Sequence, residues 1–574
     1  MKLSKYILMT SALLLGAAAY ADDFDSFDDF SSFGADASAA ASALEVNGSV
    51  ETEIRAYVDV DDAEADKIEV KALPNAKLDL KYSGSKSDVE LKLKVDEDTI
   101  KNHPIDVIDE AVLRGYFGNL TLEAGKMKVV WGKGDKLHVL DNFNADDYSD
   151  FIIPDYLDRR ISTPMLRAVY SLPFANMNLE GVYTPLLPVD RFAASGRWLP
   201  GQVSALTDTV TVSAKMQVAA SVERLEKIRM EATEAQSLKN LMAAGDTEHA
   251  QAALTKMVTE AYTAGKISFS LEELSEALAS AGKDFSTATD EERKAAAAAV
   301  LAKKYESYLT TELTDAETAY TLCLANANSL SADPDVIYPD MWTLKYGQFG
   351  GRATWTMGQL DMGISYYNGW YKQPSFNASK LEGFLNSYLA NGKVSEEDKF
   401  LAYDKKQTFG IEASSIIWHF NVRGEFAYNL TDDVDGTDPW VHNNSIAWLG
   451  GFDIDLPFWN ANLNVQETGT YILNNDECDK KAGDVDYDKK AYTNDKLVAN
   501  LTTSFLNDKL APEVTVMYGI ERGDLIVLPK LAFKPDQNLT LTASGMIINC
   551  ADEDSEFYDW RRNSFVSITA KYQF

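Results

Sequence analysis

The sequence predicts an all-β transmembrane antiparallel barrel of about 18 strands, with about 16 as the alternative count, carrying an inserted α-helical extracellular subdomain. Three observations predict it. Apolar and polar residues alternate in short segments along most of the chain, the links between those segments alternate short and long, and no apolar run beyond residue 21 is long enough to cross a bilayer as a helix.

Residues 1–21 have the form of a secretory signal peptide. Lys2 and Lys5 give a positive start, Tyr6 to Ala19 form an apolar run too short for a spanning helix, and Ala19-Tyr20-Ala21 offers small residues for cleavage before Asp22. No Cys follows that site, which argues against a lipoprotein anchor. The tail 22–42 is acidic and low in complexity, with Phe24, Phe27, Phe30 and Phe33 at every third position, and is expected to be a solvated periplasmic segment. Residues 43–184 then form the first part of the barrel, about seven strands.

In that part, Val89, Leu91, Leu93 and Val95 alternate with Glu90, Lys92 and Lys94. Strict alternation puts one set on each face of a strand, so a barrel wall built this way is greasy outside and polar inside. The link 185–347 is the extracellular insert, helical at about 203–328. Within it Ser270-Leu271-Glu272-Glu273 and Thr289-Asp290-Glu291-Glu292 read as capping boxes, followed by Ala-rich helix formers. The remainder, 348–574, returns to the dyad pattern. Leu360, Met362, Ile364 and Tyr366 alternate with Asp361, Gly363 and Ser365, and Val422, Gly424, Phe426 and Tyr428 with Arg423, Glu425 and Ala427. Val566, Ile568, Ala570, Tyr572 and Phe574 close the chain in the same way.

Link lengths separate a membrane barrel from a soluble sheet. Short turns are expected at 83–86, 118–119, 173–176, 358–359, 417–418, 457–460, 506–509 and 535–538, with mostly long links between them. Tight turns on one side and extended loops on the other put both termini in the periplasm, which requires an even strand number. Tyr183, Tyr366, Tyr367, Trp370, Tyr371, Tyr428, Trp448, Tyr572 and Phe574 fall near strand ends, as interfacial girdles do.

A net charge of −34 excludes nucleic acid as a partner and suits acidic loops that gather cations. Three cysteines make no disulfide scaffold, although Cys478 and Cys550 fall in outer loops where they could bridge. Nucleophile-elbow, zinc-protease and phosphate-loop motifs are missing, so neither an enzyme nor a cofactor is expected. Asp433, Asp435 and Asp438 surround a Gly turn and make a weak calcium candidate, but the closing Glu of a calcium loop is absent, and no metal is expected.

The ending Tyr572-Gln573-Phe574 resembles the C-terminal signal by which the barrel-assembly machinery recognises bacterial outer-membrane barrels, and the chain as a whole resembles porins. That resemblance implies an outer-membrane channel in contact with lipid, passing small hydrophilic solutes, with a homotrimer as its assembly. By the same analogy the third outer loop, 133–162, folds into the lumen as a constriction. Its charged residues are Lys133, Lys136, Asp141, Asp146, Asp147, Asp150, Asp155, Asp158, Arg159 and Arg160. Alternation puts Arg114, Arg167, Arg352, Arg423 and Glu425 on the lumen wall, and acids opposite bases would set up a transverse field that sorts charged solutes. The stretch Trp131-Gly132-Lys133-Gly134-Asp135 with the Asp/Asn-rich run to Asp147 and Asp158-Arg159-Arg160 also resembles uncharacterised outer-membrane proteins of the DUF1302 type, from which the helical insert departs. Two other functions fit the same fold: a surface adhesin or receptor anchored by the barrel, and a transporter of hydrophobic substrates.

Overall fold

The computed structural model describes residues 44–58, 68–135, 137–150, 159–245, 247–475 and 493–574. The expected leader and tail, Lys136, Asp155, Asp158 and Cys478 lie outside the described residues, and with Cys478 one end of the expected bridge to Cys550.

The described residues form one 18-stranded antiparallel sheet. Its first seven strands are β1 Glu45–Tyr57, β2 Val70–Ser83, β3 Ser87–Asp96, β4 Ile108–Phe117, β5 Leu120–Met127, β6 Thr163–Leu172 and β7 Met177–Thr184. After the insert come β8 Gln348–Met357, β9 Leu360–Trp370, β10 Lys405–Ile417, β11 Phe420–Thr431, β12 Ser445–Asp455 and β13 Asn462–Ile472. The last five are β14 Lys496–Thr502, β15 Leu510–Gly519, β16 Leu525–Phe533, β17 Leu539–Asn549 and β18 Phe565–Gln573. Each pairs with its neighbour in sequence, and β18 pairs back onto β1 from Tyr57 opposite Phe565 to Ser49 opposite Gln573. The sheet is closed and has no free edge.

The pleat turns alternation into two surfaces. Val50, Ile54, Leu179, Ile364, Phe409, Ile411, Phe426, Leu541 and Ile568 stand exposed on the outer wall. An apolar girdle of this extent cannot face water, so the barrel spans a bilayer. Arg55, Glu412, Arg423, Glu425, Asn464, Gln466 and Asn500 point inward and are buried. The eight short turns fall where the link lengths predict, all on one rim. The girdle assignment needs correcting at Tyr367, Trp370 and Tyr371. Tyr367 neighbours the outward Tyr366 and so must face inward, where it is buried; Trp370 is buried against Leu187, Tyr346 and Tyr403 of the links, and Tyr371 stacks on His442 with ring centroids 4.1 Å apart.

The chain end is tied to the first strand. Phe574 and Gly48 exchange two backbone hydrogen bonds of 2.8 and 2.9 Å, and a side chain at Gly48 would collide with the Phe574 ring. Both Tyr572 and Phe574 expose their rings.

A second compact unit comprises residues 205–338 and 378–400. Its long helices Gly201–Ala243 and Asp290–Ala332 enclose the shorter Glu248–Thr263 and Leu271–Ser280 in sequence. Ser270 and Thr289 make full capping boxes with Glu273 and Glu292, as their spacing predicts. Leu254, Val258, Tyr305 and Leu309 form part of its core. The helix Ala378–Asn391, in the link between β9 and β10, belongs to this unit and escaped the sequence reading, although Phe384, Leu385, Tyr388 and Leu389 have helical spacing and are buried.

Candidate functional site

The link between β5 and β6 runs into the barrel. Trp131 is buried, its indole N–H donates to Glu180 on β7 at 3.1 Å, and its ring meets Phe143 edge-on at 5.0 Å. Phe143 in turn meets Tyr367 on β9 at 5.2 Å. The wall makes room through glycine: a Cβ at Gly350 would lie 2.8 Å from the Trp131 ring, and one at Gly410 would lie 2.5 Å from Leu140.

Glu425 on β11 holds the link in place. Its carboxylate accepts backbone N–H bonds from Lys133 and Gly134, both at 2.7 Å, and from Val139 and Leu140 at 2.9 and 3.3 Å, with His138 Nδ1 3.1 Å away. Donors from two strokes of a turn converging on one buried carboxylate form an anion nest turned inward. The motif 131–135 has the residues this wrap needs. Gly132 has φ +118° and a Cβ there would sit 2.4 Å from Glu425 Oε1, while Asp135 takes hydrogen bonds from Arg423 and Asn464 of the wall.

The remaining loop charges are mostly spent on one another. Asp141 pairs with Arg160 at 2.8 Å, Asp146 with Arg160 at 2.6 Å and Arg159 at 3.3 Å, Asp147 with Arg191 at 3.0 Å, and Asp150 with Arg55 at 2.8 Å. The short strand Ala145–Tyr148 also pairs with Arg160–Ile161 and, in parallel, with Arg191–Phe192. Of Lys133, only the backbone is engaged in the contacts described.

The wall arginines correct the expected field. Rather than facing the loop acids, they join neighbouring strands in an alternating belt. Glu110, Lys92, Glu90, Arg114, Glu123, Arg167, Glu180, Arg352 and Glu412 follow one another by ion pairs from β3 to β10. Arg423 pairs with Asp453 and, alone of the predicted set among the described residues, also meets a loop acid, Asp135. The belt lies a few residues from the short turns.

Two apolar clusters occupy part of the long-loop half of the lumen, beside buried Gln348, Thr408, Asn429 and Asn444, which corrects the expectation of a polar bore throughout. One cluster joins Val112, Met127, Trp131, Leu140, Phe143, Met165, Val182 and Tyr367. A second joins Tyr57, Trp198, Val498, Met517, Ile526, Met546, Ile548 and Phe565, with Leu137 of the loop packed against it. Between them, against β2 and β3, lies a cavity of about 130 Å³ lined by Lys77, Lys94, Lys128, Arg159, Arg160 and Arg191 together with Asp98, Asp106, Asp109 and Asp147.

Two lysines stand apart from these networks. Lys372 Nζ donates to the Gln348 side chain at 2.6 Å, and Lys406 lies 5.9 Å from the Tyr367 ring centroid; neither ammonium makes an ion pair among the described residues. Burial, and after it the charge of Lys406, pull the Lys372 ammonium down to about 7. Arg55, Lys372 and Lys406 went unnoticed in the sequence; inward alternation with Gln407 outward is the one local signal Lys406 offers.

Asp433 of the calcium candidate is engaged by the backbone of its own loop. Its carboxylate accepts the N–H groups of Thr437 and Asp438 at 3.3 and 2.9 Å, and Asp438 accepts that of Trp440. Among the described residues no group of three His, Cys, Asp or Glu side chains could hold a metal ion.

No family model and no curated protein match the chain, so the local DUF1302-type resemblance gains no support. Solved structures with a similar course include a BenF-like porin from Pseudomonas fluorescens Pf-5, at 8% identity and TM-score 0.39 over 93% of this chain and 98% of that one. Pseudomonas aeruginosa OccK3 aligns at 8% identity and TM-score 0.37 over 92% and 96%. Salmonella typhi OmpF in complex with daunomycin aligns at 7% identity and TM-score 0.34 over 92% and 97%. Likenesses this distant decide nothing about activity, which rests on the residues above.

Proposed function

We propose that this chain is an outer-membrane channel of porin type, passing small hydrophilic solutes by diffusion through a bore narrowed by its inward-folded loop. The observation that carries the reading is the two-faced wall: strands that present Phe349, Ile411 and Phe426 outward present Arg352, Glu412 and Arg423 inward. A barrel that served only as an anchor has no need of a charged belt across β3 to β10. Tight turns and both chain ends then lie on the periplasmic side, and the long loops with the helical insert outside the cell. Assembly through the exposed Tyr572 and Phe574, and a homotrimer, belong to the same reading.

The solute route follows β2 and β3, where polar side chains line the cavity between the two apolar clusters. Because the loop acids pair with Arg55, Arg159, Arg160 and Arg191, and the wall arginines with wall glutamates, Lys372 and Lys406 stand outside both networks, and the reading includes a preference for anions. Single-channel recording in planar bilayers tests this. Discrete ohmic steps with a reversal potential on the anion side are expected, and silence from correctly folded barrels would refute it. The apolar packing of the long-loop half favours one competitor, a closed barrel that displays the helical insert as a receptor, and silence is what that reading expects.

A further inference from the structure

A lysine taken out of water ordinarily ends on a carboxylate, because a lone ammonium loses more on burial than neutral contacts return. Lys92, Lys94, Lys126 and Lys128 obey that rule, with Glu110, Asp96, Asp106 and Asp109 at 2.9 to 3.0 Å. Lys372 and Lys406 do not. Lys372 follows the end of β9, and Lys406 stands opposite Gly369 near the start of β10, so the two meet at the long-loop end of the wall. They share one ring: their Nζ atoms lie 5.8 and 5.9 Å from the Tyr367 centroid, and Lys406 lies 5.0 Å from that of Tyr371. Gln348 aims Lys372. Its fully buried amide donates to the Leu186 carbonyl at 2.8 Å and accepts from Lys372 at 2.6 Å, which fixes the ammonium to both ends of the link between β7 and β8. The carboxylates whose charge reaches Lys372 are engaged elsewhere, Asp141 with Arg160 and Asp190 with the Asp146 N–H and the Gln373 amide.

We infer that Lys372 and Lys406 form a subsite for the oxyanion group of a passing solute, a carboxylate or a phosphate held between two ammoniums at the long-loop mouth. Ring faces compensate a buried ammonium only in part, and two cations side by side raise each other's cost. The Lys372 ammonium, pulled down to about 7 by burial and by Lys406, carries that cost now. An anion bridging the pair removes both penalties at once. An oxyanion suits it better than a halide, because several oxygen lone pairs can take charge-assisted N–H bonds from two fixed directions. Both lysines keep part of their surface open, so a solute can reach them. The subsite lies outside the inward loop, whose acids and arginines answer one another, and outside the ion pairs of the belt.

The solute assignment rests on the channel reading above, so binding and conduction are measured apart. The full mature chain in detergent is dialysed to equilibrium against labelled acetate, and separately against labelled inorganic phosphate, with chloride holding the ionic strength. One saturable site per chain is expected for at least one of the two, and equal concentrations of chloride should not displace it. Lys372→Met and Lys406→Met should each weaken it about ten- to a hundredfold, the loss of one charge-assisted contact. Lys406→Arg should keep it, and Lys101→Met, at an exposed lysine paired with Glu97, should leave it unchanged. In the unmutated chain the bound ligand should protect Lys372 from reductive methylation, which tests the site even where a Met variant fails to fold. A wild-type barrel that binds neither ligand, binding that chloride displaces, or equal methylation with and without ligand would each overturn the subsite. So would wild-type affinity in both Met variants. Binding by a barrel that never conducts in planar bilayers would support the site and fail the channel reading, whereas conduction without binding would fail the site alone.

Discussion

Replacing Glu425 by Ala removes the carboxylate that gathers four backbone N–H groups and His138 at the inner wall. The side chain is fully buried, so no water shell is ready to replace it. Removing one partner from a buried charged arrangement costs about 3–5 kcal/mol. At about 1.4 kcal/mol per tenfold, the ratio of docked to undocked loop falls by a factor of roughly a hundred to a few thousand. The β-ladder of β11 is backbone-made and survives, so the barrel itself should keep its heat-modifiable migration. Conductance is expected to rise and become noisy as the loop samples undocked positions, and trypsin should gain access at Lys133 and Arg159. Glu425→Gln, which keeps an acceptor but loses the charge, should fall between. Wild-type conductance together with wild-type trypsin resistance in Glu425→Ala would refute the claim that this carboxylate holds the loop.

Gly132→Ala meets the same clasp from the other side, because its Cβ would press on Glu425 Oε1, and should reproduce the noisy conductance of Glu425→Ala. Phe143→Ala opens a void between Trp131 and Tyr367 and should weaken loop docking by about 3–5 kcal/mol, read as trypsin sensitivity with unchanged barrel melting. Lys372, held at about 7, gains its charge as pH falls from 8 to 6, so anion preference should increase over that window. Lys372→Met should flatten this dependence in reversal-potential measurements. Thr289→Ala removes a capping box and should destabilise the helical unit by about 1 kcal/mol in hydrogen exchange, leaving barrel amides unchanged.

The strands and turns were legible because each strand answers to two media at once, and that demand is written with a period of two in neighbouring residues. Val422, Phe426 and Tyr428 could take no face but the outer one once Arg423 and Glu425 took the inner. The capping boxes were legible for a similar reason: Thr289 and Glu292 are three residues apart and need nothing else. What the loop does was not legible in the same way. Trp131-Gly132-Lys133-Gly134 stands out as a motif, but its partner Glu425 lies nearly three hundred residues downstream, and no local pattern joins them. The loop acids were countable but their pairing was not: a list holding Asp146, Asp147, Arg159 and Arg160 reads equally well as a field across a pore or as a set of ion pairs. Tyr366 and Tyr367 show the smaller version, where adjacent rings at a strand end face opposite media and composition alone assigns both to the girdle.

The two-zone lumen follows from how the loop is held. A segment that enters the barrel must bury its backbone, and each N–H taken from water needs an acceptor there. Glu425 supplies acceptors to four of them, and Asn144 closes the neck by bonding both the N–H and the carbonyl of Val129. The apolar side chains the loop carries, Trp131, Leu137, Leu140 and Phe143, then require apolar partners, which Val112, Met127, Met165, Val182 and Tyr367 supply in one cluster and Val498, Met517, Ile526 and Met546 in the other. On the short-turn side of the loop the wall returns to ion pairs between adjacent strands. Neither apolar cluster claims β2 and β3, where the polar cavity lies, or β13 with its inward Asn464 and Gln466, so the solute route proposed along β2 and β3 runs where the loop's own hydrophobic contacts end.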